Sequence, residues 1–164
     1  DKDTLLGPLC TKERLEGVEK LVETTKKEVG KVLLGGKRAA NFKKGYYYEP
    51  TIFANVKDDY TIMKEEPFGP LVPMLSFKSF DEVIERANDN DLGLCSYLYT
   101  NSMDKAHIGS EKLETGCVAV NTGVVALAEA PFGGIKQTGY GREGGSGAIK
   151  DYLNVKYTHM GLKI

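Results

Sequence analysis

Three stretches of the chain carry residue types at spacings that could do chemistry. Gly139-Tyr140-Gly141-Arg142-Glu143-Gly144 fits G-x-G-x-x-G, the spacing that lets a backbone approach a pyrophosphate at the start of a helix. Its flanks oppose that use. Lys136-Gln137-Thr138 stand where an apolar strand should precede it, and no substantial helix with an acidic residue about 20 positions on follows. The context supports a structural turn loop. Glu65-Glu66-Pro67-Phe68-Gly69-Pro70 places two carboxylates and an aromatic ring around two prolines, which stiffen the backbone and end any helix before them. A carboxylate held there can accept hydrogen bonds from both hydroxyls of a ribose while the ring lies against a planar cofactor. The alternative is an acidic turn with a buried Phe.

The third candidate chemistry is a thiol. A nucleophilic cysteine needs a lowered pKa and a nearby base or electropositive pocket. Cys95 and Cys117 fall in apolar runs expected to be buried strands, and Cys10 abuts a helix start. The two histidines, His107 and His159, pair with none of them in the sequence, so structural cysteine is the default. The three cysteines are far apart and lack the Cys-x-x-Cys spacing of a zinc site, which reads as reduced thiols in the cytoplasm and no metal.

These residues need a scaffold, and composition bounds it. The chain has 164 residues, 41% of them hydrophobic and 27% charged, enough for one globular domain with a core. Lys+Arg 22 against Asp+Glu 23 gives a net charge of -1, which provides no basic field for nucleic acid or an anionic membrane. No run approaches the roughly 18 apolar residues of a bilayer span, and Asp1-Lys2-Asp3-Thr4 is no secretory signal. A soluble, cytoplasmic protein is expected.

Leu15, Val18, Leu21, Val22 and Val29 share a helical face after a Thr11 N-cap, with Gly30 closing the helix. Lys31 to Leu34 reads as a short strand, and Tyr46 to Phe53 as extended. Leu71 to Phe77 is an apolar run, followed by a Ser79-Phe80-Asp81-Glu82 capping box and a helix to about Asn88. Leu92 to Tyr99 is expected as a strand buried on both faces, Thr100 to Thr115 as a helix stopped by Gly116, and Cys117 to Asn121 as another buried strand. The order β-α-β-α-β predicts an α/β fold with a parallel sheet and helices on both faces. Glycine, 19 residues in all, clusters between Gly133 and Gly147 in one specialised loop. Leu153, Val155 and Tyr157 then alternate with polar residues as a half-buried strand.

Taken in order, E-E-P-F-G-P at 65–70, N-D-x-x-L-G-L at 88–94, G-C-V-A-V-N at 116–121 and P-F-G-G-I-K-Q-T-G-Y-G-R-E-G at 131–144 resemble the carboxy-terminal part of the aldehyde dehydrogenase superfamily. V-N-T-G at 120–123 and the D-Y-L-N-V-K-Y tail are most similar to its succinate-semialdehyde dehydrogenase branch. The resemblance implies a Rossmann-like α/β arrangement, with 1–146 a carboxy-terminal portion of the catalytic domain and 147–164 an oligomerisation tail. It also implies NAD- or NADP-dependent oxidation of an aldehyde, succinic semialdehyde by branch, through a cysteine thiohemiacetal, hydride transfer and thioester hydrolysis.

By the same resemblance Glu66 would bind the nicotinamide ribose and Phe68 would pack near the nicotinamide. Phe132, with Val124 and Ala126, would line the aldehyde pocket, and the tail strand would build a homo-oligomer, dimer or tetramer. Near Ala126 and Leu127 the branch often carries a serine for the substrate carboxylate, which this chain lacks. The family nucleophile in its G-Q-x-C context and its general-base glutamate lie upstream of E-E-P-F-G-P, and no G-Q-x-C occurs here. A fragment with no catalytic residue of its own, inactive in isolation, is therefore expected. The alternative is a non-catalytic α/β module that binds itself or a full-length subunit through an edge strand.

Overall fold

A computed structural model describes residues 2–28 and 30–162; Asp1, Val29, Lys163 and Ile164 lie outside the described residues, and with Val29 goes one position of the expected helical face. The chain divides into two compact units, Asp1–Phe77 and Lys78–Ile164.

The first unit is built on helix α1, Lys12–Lys27, whose start is fixed by the Thr11 hydroxyl accepting the Arg14 amide at 3.2 Å. Leu15, Val18, Leu21, Val22 and Thr25 recur at helical spacing and are buried, as the periodicity requires. The helix is capped by Glu28 rather than closed by Gly30. Gly30 answers a different demand: a Cβ there would stand 2.7 Å from Thr25 Cγ2 and 2.9 Å from its carbonyl oxygen. Against α1 lies a three-stranded sheet of β1 (Lys31–Leu34), β2 (Thr51–Ala54) and β3 (Leu71–Pro73), in that order, with β1 antiparallel and β3 parallel to β2. Val22, Phe53 and Ile62 of the short helix α2 (Thr61–Lys64) form the deepest part of the core. The α2 N-cap, Tyr60, offers no side-chain bond. Glu28 supplies it instead, its carboxylate accepting from the Thr61 amide at 3.2 Å and hydroxyl at 2.7 Å.

The second unit begins with α3 (Phe80–Asn88), capped by the Ser79 hydroxyl, which accepts from the Glu82 amide at 3.2 Å. The Glu82 carboxylate reaches one residue past the expected partner and takes the Lys78 amide at 2.7 Å, which, ahead of its contacts with Arg86 and Ser79, lowers the Glu82 pKa. The run from Leu92 to Tyr99 divides in two: β4 (Leu92–Gly93) pairs antiparallel with β7 (Ile135–Lys136), and β5 (Cys95–Leu98) pairs parallel with β6 (Cys117–Val120). Helix α4 (Met103–Lys112) connects β5 to β6 and packs through Gly109, where a Cβ would lie 2.6 Å from Leu98 Cδ2. Asn121, at φ 56°, ends β6; its side chain accepts from Thr100 N and donates to Thr100 O, both at 2.9 Å, fastening the two strand ends together.

The fold class is α/β, but three details are corrected. The single parallel sheet expected from Leu71 to Asn121 does not form, because β3 takes β2 as its partner and the next apolar run is broken at Leu94. The strands of the second unit are not buried on both faces: Tyr97 is 53% exposed, since a two-stranded sheet has little surface to cover it with. The tail is not a strand. After a 3-10 turn at Ala148–Tyr152 it runs on without a strand assignment through the described residues, and Leu153, Val155 and Tyr157 are exposed. No helix is long and apolar enough to cross a membrane among the described residues.

Candidate functional site

The Glu65–Pro70 segment leaves α2 through Glu65, the extended C-cap, and turns tightly, with bonds from Phe68 N to Glu66 O at 3.0 Å, Gly69 N to Pro67 O at 2.6 Å and Leu71 N to Gly69 O at 2.8 Å. Two prolines and three short-range bonds leave this backbone few alternatives. Gly69 is pressed on α1, where a Cβ would meet Val18 Cγ2 at 2.5 Å. Glu66 is exposed, and Phe68 keeps 63% of its surface open, so the reading as a turn with a buried Phe does not hold. The Arg14 guanidinium lies over the Phe68 ring, 5.3 Å from its centroid, a cation–π contact that orients the ring.

Phe68 and Arg14 border a cavity of about 360 Å³ with Leu6, Leu9, Cys10 and Tyr48, a size suited to part of a cofactor. Glu66 is not among its lining residues. Tyr48 is 7% exposed; burial first, then the charges of Glu19, Glu23 and Glu49, push its hydroxyl pKa to about 12, so it is a neutral wall. The sequence reading missed Arg14 and Tyr48. Neither has a local signal, because each reaches Phe68 or the cavity only through tertiary packing.

In the second unit Phe132 and Glu143 exchange both backbone bonds, at 2.7 and 2.8 Å, and so close the glycine-rich loop between them. Gly139 (φ 100°) and Gly144 (φ 70°) take turns that side chains resist. Arg142 fills the loop from inside, its Nη1 donating to the carbonyls of Gly134 at 2.7 Å and of Tyr140 and Gly141 at 3.0 Å. The G-x-G-x-x-G run is thus organised around its own cation, as a turn loop. Ala126 and Phe132 meet in one cavity of about 320 Å³ with Leu127, Ala128, Glu143 and Gly144; Val124, 59% exposed, lies outside that lining. Phe132 also borders an open groove of about 740 Å³ running to Tyr152.

The thiols differ from expectation in burial. Cys95 and Cys117 are half-buried and Cys10 is exposed, all three unbridged. Burial, followed by the charge and hydrogen bond of neighbouring Cys117, pushes the Cys95 thiol pKa up, which opposes a role as a lone nucleophile. His107 pairs with Glu111 at 3.6 Å and His159 stacks near Tyr157. Among the described residues no group of three or more His, Cys, Asp or Glu is placed to hold a metal ion.

Compared with known proteins, residues 1–158 match the sequence profile of the aldehyde dehydrogenase family. The chain is 39% identical, over 98% of its length, to the mitochondrial succinate-semialdehyde dehydrogenase of Oryza sativa subsp. japonica, of which it covers 30%. It is 40% identical, over 92% of its length, to the chloroplastic betaine aldehyde dehydrogenase of Atriplex hortensis, again covering 30%. The NAD+ complex of an aldehyde dehydrogenase from Bacillus cereus superposes with a TM-score of 0.90 at 46% identity, over 95% of this chain and 31% of that one. The chain therefore spans about 30% of the length of the curated relatives it matches.

Proposed function

The chain belongs to the aldehyde dehydrogenase family, a family of oxidoreductases, and from that premise we propose that it is the carboxy-terminal wall of an active site that oxidises an aldehyde to its carboxylic acid with NAD or NADP. The observation that carries this reading is the stiff Glu65–Pro70 turn, which holds the Glu66 carboxylate out of the core and sets the 63%-exposed Phe68 ring at the edge of a cavity. Arg14 covers part of that ring, and a planar cofactor is a partner of matching size for the surface left open.

NAD or NADP, when bound, accepts the hydride. Glu66 would hold the ribose by accepting hydrogen bonds from its hydroxyls. Phe68, braced by Arg14, would pack near the nicotinamide. Phe132 and Ala126 bound the aldehyde and keep water from it, and Val124 sits at the rim. Succinic semialdehyde is the substrate this reading takes, supported by V-N-T-G at 120–123 and by the likeness to a succinate-semialdehyde dehydrogenase. The nucleophile and base come from the rest of a longer polypeptide, so the chain alone is inactive. The parent is cytoplasmic, in keeping with three unbridged thiols. Residues 147–164 form an oligomerisation tail that pairs with another subunit to give a dimer or tetramer. Exposure of Leu153, Val155 and Tyr157 favours that pairing, and it equally favours the alternative of a non-catalytic subunit-binding module.

A chimera separates the two. This chain replaces the matching third of the Bacillus cereus enzyme, and NAD(P)H absorbance is followed with succinic semialdehyde and with simple aldehydes. The expected outcome is turnover that Glu66→Gln slows through kcat while the chimera stays folded. A folded, oligomeric chimera without turnover favours the binding module. Unchanged kinetics in Glu66→Gln removes Glu66 from the site.

A further inference from the structure

We propose that Cys95 and Cys117 are a reversible dithiol–disulfide pair, a site of oxidative modification. The two residues are register partners on the parallel strands β5 and β6, so their side chains leave the same face of the sheet. Adjacent strands lie about 4.7 to 4.9 Å apart, inside the roughly 4.4 to 6.8 Å Cα separation that a disulfide spans. Both residues are half-buried rather than enclosed, so a small oxidant has access. The third thiol, Cys10, is in the other compact unit.

The chemistry balances with a hydroperoxide as oxidant. One thiol, as thiolate, attacks the peroxide; the O–O bond breaks, the sulfur becomes a sulfenic acid, and an alcohol or water leaves. The neighbouring thiol then attacks that sulfur, the S–S bond forms, and its proton departs with the hydroxyl as a second water. Two electrons pass from the two sulfurs to the peroxide. Partial burial slows the first step, and adjacency accelerates the second, because the resolving thiol is already in place. A small-molecule dithiol reverses the reaction by exchange.

The pair is coupled to the rest of the unit. Cys117 Sγ donates to the Gly133 carbonyl at 3.7 Å, next to Phe132. Forming the disulfide removes that S–H donor and links β5 to β6 where the Gly116 and Cys117 amides already bond to Gly93 and Leu94 at 3.0 Å.

The test treats the folded chain with hydrogen peroxide, alkylates it under denaturing conditions and reads intact mass and peptide maps. Expected is one alkylated cysteine instead of three, with Cys95 and Cys117 in one linked peptide, restored to three by dithiothreitol. Cys10→Ser leaves the linkage intact. Cys95→Ser and Cys117→Ser each abolish it, and in each the remaining thiol stays alkylatable or over-oxidises. Oxidation of the chain unfolded in urea yields mixed pairings that include Cys10, showing that the fold selects the partner. Three free thiols after peroxide treatment of the native chain, a native disulfide to Cys10, or separate sulfinic acids without a linked peptide would each overturn the proposal.

Discussion

Gly116 and the carbonyl oxygen of Gly133 approach so closely that a Cβ on Gly116 would stand 1.9 Å from that oxygen. The contact sets how near the Phe132 segment lies to β6, and what it presses on is backbone, which cannot rotate away as a side chain would. Overpacking of this kind costs roughly 1 to 3 kcal/mol. Gly116→Ala should therefore cost about 2 kcal/mol of stability and shift the urea midpoint down accordingly. A variant as stable as the parent would mean that the Gly133 loop yields freely.

How much of this was legible in the sequence depends on how local each signal is. Thr11, Ser79 and the buried face from Leu15 to Val22 announce α1 and α3 within a turn of themselves, and the structure keeps them. Strand pairing is decided between distant segments, so four apolar residues reveal a strand but not its partner. That is why β3 against β2 and β4 against β7 were hidden. The site divides in the same way. The stiffness of Glu65–Pro70 is written in its prolines, whereas the bracing of Phe68 by Arg14, 54 positions earlier, is not. In the tail, alternation of apolar and polar residues specifies a strand only where another strand accepts it, and its described residues carry no strand assignment in the single chain.

Tyr48 makes stability fall in strong alkali. Burial raises its hydroxyl from 10.0 to about 12, while an unfolded chain loses that proton near its ordinary value. Between those two pH values the unfolded state binds fewer protons than the native one, so unfolding becomes easier as pH rises. The contribution is complete below pH 10 and declines by roughly 2 to 3 kcal/mol as pH climbs through the native value. Urea titrations at pH 9, 10 and 11 on the parent and Tyr48→Phe should diverge in slope, with the variant flatter. Parallel curves would show that the hydroxyl has water enough to ionise normally.

The tail gives a size prediction. Val155 and Tyr157 are 101% and 84% exposed, and an apolar stripe left open in this way tends to pair with a strand edge. Light scattering on the purified chain should report at least a dimer, and removal of the residues after Asp151 should give a smaller species. A monomer before and after truncation would show that the stripe does not associate copies of this chain.

Aldehyde oxidation needs a thiolate within bonding reach of the carbonyl, a base to activate it and a nicotinamide held over the developing hydride donor. Of these, the proposed site would supply only a place for the nicotinamide. Burial first, then Cys117, pushes the Cys95 thiol pKa up, and Cys117 Sγ donates a hydrogen bond to the Gly133 carbonyl. Cys10 is exposed on the surface. His107 lies beside Glu111 and His159 near Tyr157, neither of them a thiol. The isolated chain should consequently bind the cofactor weakly or not at all and give no NAD(P)H signal above buffer with succinic semialdehyde, and saturating cofactor should not rescue it, because a nucleophile is lacking as well. The assay is the absorbance change on the purified chain, repeated with Cys10→Ser, Cys95→Ser and Cys117→Ser. Turnover in the parent that one of these substitutions removes would make that cysteine the nucleophile and defeat the single-wall reading.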